Sequence, residues 1–394
     1  MAPVTPAAPR VLFVTHSGVL GGAERSLLDL AEHWPAERRL LVLAEGPMEA
    51  AARARGIPVE VMPLGALSAV RRESARPGLG ALADAARVSA RIAREAAAVD
   101  VIHANSQKAF VVAAGAGLLA RRPVAWHLRD ILTPRHFSVT NIKAAVLLAN
   151  ARAATVIANS GATADAFAAA GGRAGLARVV HNGLASDRFD AVTDAEIRAL
   201  RDALGAGDAP VLAVCARLAP WKGQHVALAA LAALPAARLW IIGKALFGED
   251  DYARGLVDHA RALGVWDRVR FLGEREDVPA LLCAADVVLH TAVEAEPFGR
   301  VVVEGMLAGR PVVASDDGGV REILRAGESG WLVPPGDPAA LAAAVRDVLA
   351  MPAAERAARV ARAREEARSR FSLEAMLAGV VAALAAVSAP RSRT

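Results

Sequence analysis

Cys215 and Cys283 are the only cysteines in a chain of 394 residues, and both stand in apolar runs. A secreted disulfide scaffold needs more cysteines than this, so buried thiols in a reducing, cytoplasmic setting are expected. The N-terminal "MAPVTPAAPR" lacks the apolar core of a signal peptide. No uncharged apolar run reaches the ~18 residues that a bilayer span requires. The nearest candidate, "AMLAGVVAALAAVSA", is short and alanine-rich and reads as a packed helix. Aromatic residues are only 4% of the chain, and no basic, aromatic-interleaved motif of the kind that binds nucleic acid is present. Lysine is rare against arginine, a coding bias more than a physical signal. The dinucleotide fingerprint G-x-G-x-x-G is missing. No D-x-D motif stands where a nucleotide-bound metal would need one, so no metal site is expected; "GEDD" at 248–251 reads as a helix start.

Hydrophobic residues, by contrast, make up 54% of the chain and charged residues 22%. That composition supports a large core and argues against disorder. The length suits two domains at roughly 100 to 200 residues each. The formal net charge is +5, and the excess of base lies in the first 190 residues. Solvated helix faces account for it; an anionic acceptor or a peripheral membrane contact is the alternative. The stretch at 71–97 could form an amphipathic surface helix.

Short apolar runs alternate with helical patterns from end to end. "RVLFVT", "RLLVLA", "PVEVMPL", "VDVIHA", "PVAWHL", "ATVIAN" and "ARVVHN" form a first series of strands. "PVLAVCAR", "ARLWIIG", "RVRFLG", "ADVVLHT", "RPVVAS" and "GWLVPP" form a second. Strands alternating with helices imply parallel sheets covered on both faces. The polar stretch at 183–209 reads as a linker with one short helix. The expected fold is therefore α/β, with two tandem Rossmann-like, doubly wound domains facing across a cleft. The expected boundaries are 1–190, 191–370, and a C-terminal helix at 371–394 packing back toward the first domain with a loose tail.

Ligands of open parallel sheets bind beyond the carboxyl ends of the strands, and chemistry-bearing residues cluster at those positions. Gly21 and Gly22 follow the first strand at a helix start, where glycine allows close backbone approach and the helix terminus favours an anion. The same glycines also suit a tight turn without a ligand. His103 and His127 end two neighbouring strands, and Arg129 with Asp130 could be a simple ion pair. Arg217 and Lys222 lie five residues apart around a loop, with Gly223 opening a helix, a fork and a point charge suited to a diphosphate. "EAEPFGRVVVEGM" sets Glu296 and Glu304 around Pro297, Phe298, Gly299 and Arg300. Carboxylates accept hydrogen bonds from vicinal diols, as in sugars and riboses. The three valines by propensity read as a strand. Beyond them "ASDDGGVREI" repeats a strand, Gly-rich turn and helix, with Gly318 and Gly319.

"GGAERS", "HNGLASDRF", "ARLAPWKGQHVALAAL", "EPFGRVVVEGMLAGRPVVAS" and "GGVREIL" with "ESGWLVPPGDP" together resemble the family 4 retaining glycosyltransferases of GT-B fold, over nearly the whole chain. The resemblance implies that Arg217 and Lys222 hold the donor diphosphate, that Glu304 binds the nucleotide ribose, and that Glu296 faces the donor sugar beside the Phe298 and Gly299 amides. It implies that His127 lies near the reacting carbons and that Gly22 belongs to the loop approaching diphosphate and acceptor. "FLGEREDV", around Arg275, matches the segment flanking the base, and Gly243 opens the loop after "WIIG" that bears on the diphosphate. The chain departs from the family at Gly305, where "EGM" replaces the common "EAM", at a helix cost of roughly 1 kcal/mol. It departs also at Lys244-Ala245-Leu246, where a Gly-rich turn is usual, at Trp221 before Lys222, and at "HLRD" over 127–130. By resemblance "GRVVVEGM" is a helix. The implied activity is transfer of a sugar from a nucleoside-diphosphate donor, UDP favoured, to an acceptor hydroxyl by metal-independent front-face displacement, with no cofactor. A non-catalytic nucleotide-sugar-binding protein and a GT-B sugar-nucleotide epimerase stand as alternatives.

Overall fold

The computed structural model describes residues 7–65 and 79–388. Residues 71–78 of the basic stretch at 71–97 therefore lie outside the described residues. The chain divides into two compact units. One comprises the residues up to Gly183 together with those from Leu373 onward; the other is Leu184–Ser372.

The strands of the first unit are Val11–Thr15 (β1), Arg38–Val42 (β2), Val59–Val61 (β3), Val101–Ala104 (β4), Val124–Leu128 (β5), Ala153–Ala158 (β6) and Ala177–Val179 (β7). They form one sheet in the order β3-β2-β1-β4-β5-β6-β7, and every pairing is parallel. Side chains alternate across a strand, and both faces are apolar because helices cover both. Leu12 and Val14 of β1 enter one core layer, while Val11 and Phe13 enter the other. That two-sided burial is why "VLFVT" is apolar throughout instead of alternating. The helix Leu373–Ser388 joins the second of these layers through Leu373, Met376, Val380, Val381 and Leu384.

The second unit repeats the plan with Val211–Cys215 (β8), Arg238–Ile242 (β9), Val269–Gly273 (β10), Val287–His290 (β11), Val312–Ser315 (β12) and Trp331–Val333 (β13). The order is β10-β9-β8-β11-β12-β13, again all parallel. Val211 and Ala213 face one layer, Leu212 and Val214 the other.

Two local expectations needed correction or settlement. The stretch at 183–209 is not a linker: from Leu184 onward it belongs to the second unit and packs on its core. Leu184 and Phe189 are buried there, and the helix Asp194–Ala203 opens with a capping box in which Thr193 and Glu196 satisfy each other's backbone amides. Its polar composition belongs to the solvent face and the cap. The helix reading of "GRVVVEGM" holds: Arg300–Leu307 is helical with Val301, Val302, Val303, Met306 and Leu307 buried. Burial on the sheet outweighs the β preference of three valines, which amounts to a few tenths of a kcal/mol per residue. A Cβ at Gly305 would stand 2.8 Å from Val312 Cγ2 and 3.0 Å from Val288 Cβ. Glycine here lets the helix lie close on β11 and β12.

Candidate functional site

In each unit the strand order reverses at one place, and the crevice beyond the strand ends at such a reversal is where ligands of these sheets bind. In the second unit the reversal lies between β8 and β11. After β8 the chain runs through Arg217 into a single turn of 3-10 helix, Pro220–Lys222. Gly223 then takes a left-handed conformation, φ 68°, and caps the helix Gln224–Ala232. Only glycine fits, since a Cβ would lie 1.9 Å from the Thr291 carbonyl oxygen. The two loops are stitched together. Thr291 Oγ1 donates to the Lys222 carbonyl at 2.9 Å, the Val293 amide donates to the Trp221 carbonyl at 2.9 Å, and the Gln224 side chain donates to the Arg217 carbonyl at 2.9 Å.

Glu296 sits at the centre of these contacts. Lys222 Nζ donates to its Oε1 at 2.6 Å, and His290 Nε2 donates to its Oε2 at 2.6 Å. Burial opposes the charge on Glu296, but Lys222 and then His290 outweigh it, so its carboxyl is held well below the usual carboxylate range. Its backbone is pinned as well. The Gly319 amide donates to the Glu296 carbonyl at 2.8 Å, and a Cβ on Gly318 would lie 2.3 Å from that same oxygen. The glycine pair after β12 thus exists to admit the Glu296 backbone. Pro297 and buried Phe298 follow, the latter edge-on to Phe371 with ring centroids 5.8 Å apart. Gly299, at φ 97°, opens the helix Arg300–Leu307 without a side-chain cap. Glu304 lies one turn along that helix, with Arg300 Nε 3.8 Å from its Oε1.

The cations lie against aromatic rings. Lys222 Nζ is 4.1 Å from the Trp221 ring centroid, so Trp221 packs on the lysine. The Arg217 guanidinium is 5.0 Å from the Phe247 ring. Gly243, at φ 133°, ends β9 where a Cβ would meet the Ala216 carbonyl at 2.1 Å. Next to it Lys244 pairs with Glu274, and the Leu218 amide donates to the Lys244 carbonyl at 3.0 Å. The lysine at this point is therefore held by the neighbouring strand-end segment. Arg275 forms a two-pronged bond to Asp277, at 2.7 and 2.6 Å.

The first unit reverses between β1 and β4. Gly21 is the extended N-cap of the helix Gly22–Glu32. Glu24 is buried, and burial raises its carboxyl to about 7 against the opposing pull of Arg129 and nearby backbone amides. His103 and His127 have no exposed surface. His103 Nε2 and His127 Nδ1 share a hydrogen bond of 2.9 Å, and burial with the nearby Arg129 pushes His103 down to about 3 and His127 well below its ordinary value. His127 Nε2 has no hydrogen-bond partner among the described residues. Arg129 turns inward, donating to Asn105 at 3.0 Å, to Ser26 at 3.2 Å and to Asn182.

Sequence reasoning singled out Lys222, Glu296 and the Gly318-Gly319 turn, and the structure brings them together. His290, Asn105, Ser26 and Asn182 were missed. Each of these except Ser26 is a polar residue at or just beyond the carboxyl end of an apolar strand, the same signal that had marked His103 and His127.

A family model described as glycosyl transferases group 1 matches residues 196–370, and one described as glycosyltransferase family 4 matches residues 20–188. The lipopolysaccharide core biosynthesis glycosyltransferase LpsE of Rhizobium meliloti is 34% identical over 44% of this chain and 47% of its own length. A phosphatidyl-myo-inositol mannosyltransferase of Mycobacterium leprae is 41% identical over 32% of this chain and 33% of its own length. The chain thus matches half or less of the length of these curated relatives. The crystal structure of Anabaena HepE in complex with UDP-glucose is similar throughout, with 39% identity, a TM-score of 0.87, and coverage of 96% of this chain and 100% of that one.

Proposed function

The chain belongs to the family 4, group 1 glycosyltransferases of GT-B fold, and from that membership we propose that it transfers a sugar from a nucleoside diphosphate to an acceptor hydroxyl with retention of configuration. The observation that carries this is the second unit's strand-reversal site, where Lys222, His290 and Glu296 are preassembled and Arg217 lies over the same Trp221 ring that Lys222 meets. UDP is the favoured nucleotide, supported by similarity to a protein crystallised with UDP-glucose.

Arg217 and Lys222 hold the diphosphate, Arg as a fork and Lys as a point charge. Glu304 accepts from the ribose hydroxyls, and Glu296 and the Phe298 and Gly299 amides face the sugar. The segment around Arg275 borders the base, Gly243 borders the diphosphate, and Gly21 and Gly22 approach the phosphates and acceptor. In the transfer step the bond from the anomeric carbon to the phosphate oxygen breaks as the acceptor oxygen bonds to the same face. The departing phosphate takes the acceptor's proton. Charge accumulates on the leaving diphosphate, and the two cations with the terminus of helix Arg300–Leu307 stabilise it. Two fixed cations meet the need that a metal ion would otherwise serve, so transfer is expected to survive chelation.

The test is thermal unfolding with UDP, GDP, ADP and dTDP and their common sugars, without added metal, for the wild type and Glu304→Ala. Ligand at 100 times its dissociation constant stabilises by about 2.7 kcal/mol. A shift with one nucleotide in the wild type, lost in the variant, fits the assignment. No shift with any nucleotide removes it.

A further inference from the structure

Among the described residues only Arg121 and Phe247 hold a positive φ without being glycine. For a bulky aromatic residue a left-handed backbone, here φ 61°, is a genuine outlier, and such strain persists where the surroundings over-determine it. Phe247 is also 67% exposed, so burial of its ring does not offset the strain. The ring lies over Arg217 instead, with the guanidinium carbon 5.0 Å from its centroid.

The segment that carries Phe247 is fixed at its start. β9 ends just before Gly243, and Lys244 pairs with Glu274. The Leu218 amide donates to the Lys244 carbonyl at 3.0 Å, and Leu218 forms an isolated parallel bridge with Ala245. Phe247 and Gly248, the latter at φ 86°, make a turn, and the helix Asp250–Ala262 follows. Arg217 also meets Trp221, at 5.8 Å from the ring centroid, and Lys222 Nζ lies 4.1 Å from that same ring. Ring and cation thus alternate through Phe247, Arg217, Trp221 and Lys222. Two departures of the sequence, Trp221 and the segment opening at Lys244, come together at one arginine.

A cation set for a phosphate has conflicting needs. A carboxylate partner holds an arginine still, but it occupies the same N–H donors that a phosphate must take. An aromatic ring attracts the face of the guanidinium, whose donors lie in its plane. A ring therefore fixes the direction of the fork without competing with an anion for it. We propose that Phe247 is a positioning residue which, with Trp221, holds the Arg217 fork in the plane that a nucleoside diphosphate requires. The left-handed backbone is the local strain that accompanies carrying the ring to Arg217. The inference rests on the assignment of Arg217 and Lys222 to the donor diphosphate.

The test is calorimetric titration of the full chain with UDP, GDP, ADP and dTDP, following the nucleotide that the wild type binds most tightly. An exposed cation–π contact is worth about two- to fivefold in an equilibrium, and Phe247→Leu, which keeps apolar bulk but removes the ring, should weaken binding by that factor. Phe247→Tyr keeps the ring and should bind as the wild type does. Phe247→Gly relieves the left-handed backbone, so it should melt no lower than the wild type while binding as weakly as the leucine variant. In an Arg217→Gln background Phe247→Leu should cause no further loss, because the ring acts through the arginine. Unchanged binding by Phe247→Leu, an equal loss in Phe247→Tyr, or a full further loss in the Arg217→Gln background overturns the inference and leaves the donor assignment standing. A wild type that binds none of the four nucleotides overturns both.

Discussion

Glu296 depends on two basic partners. Removing Lys222 leaves a carboxylate only 14% exposed with part of its compensation gone, and breaking such a pair costs about 3–5 kcal/mol. Lys222→Met should lower unfolding free energy by that order in urea at pH 7, and Lys222→Met/Glu296→Gln should recover much of the loss. The sign with pH follows from the lowered carboxyl. The folded state binds fewer protons than the unfolded one below the ordinary value of 4.5. Stability from Glu296 is therefore present above that value and is lost as pH falls through the folded one, and the wild type should show a steeper acid loss than the double variant. Glu24 runs the other way. Its carboxyl is raised to about 7, so its contribution is complete below 4.5 and is lost as pH rises through 7. Glu24→Gln should flatten the pH dependence of the melting temperature between those values, measured against the wild type at each pH. His103 and His127, held neutral, oppose this by losing stability as pH falls below 6.5. The wild-type-minus-variant difference isolates Glu24 from that background. None of these environments is local in sequence. Glu24 feels Arg129 from across the chain, and the partners of Arg129 come from positions as far apart as Ser26, Asn105 and Asn182; only strand-end placement hinted at them.

The helix Arg300–Leu307 shows propensity yielding to packing. Alanine at Gly305 gains about 1 kcal/mol of helix propensity but must displace Val312 and Val288, an overpacking that costs typically 1–3 kcal/mol. Gly305→Ala should therefore lower the melting temperature, and adding Val312→Ala should restore part of it. A rise in the single variant would mean that helix and sheet separate more easily than the contacts indicate. The glycine that departs from the family's usual sequence is thus explained by the valines beneath it, which no reading of the helix alone could supply. At 183–209 the error had the opposite origin. Polar composition suggested a linker, yet Leu184, Phe189, Val192, Ile197 and Leu200 are spaced to pack one side, and the Thr193 capping box was a start signal already legible in the chain.

Each unit has its own parallel sheet and its own two-sided core, and the first depends on the last helix of the chain. Leu373, Met376, Val380, Val381 and Leu384 join the core layer that holds Leu27, Val101 and Ile157, and their helix packs on the helix Gly22–Glu32 and on β4 and β6. At about 1.5–3 kcal/mol per large buried side chain, five of them approach the ~5–15 kcal/mol that stabilises a whole domain. Deleting residues 373–394 should leave the first unit unfolded or dye-binding at 25 °C while the second still unfolds cooperatively, as followed by urea melts with ANS fluorescence. Cooperative unfolding of both units in the truncated chain would show that the helix is dispensable. The strand series, the alternation with helices, the count of two sheets and the position of ligand loops at strand ends were all determined by the sequence itself, because apolar runs and turn glycines act over a few residues. Tertiary structure alone decided which strands adjoin and where each sheet reverses. It also decided which histidines are sealed inside, which valines lie under Gly305, and to which core the last helix returns. Those outcomes depend on burial and on contacts between residues tens to hundreds of positions apart, where the free energy of packing outweighs local preference.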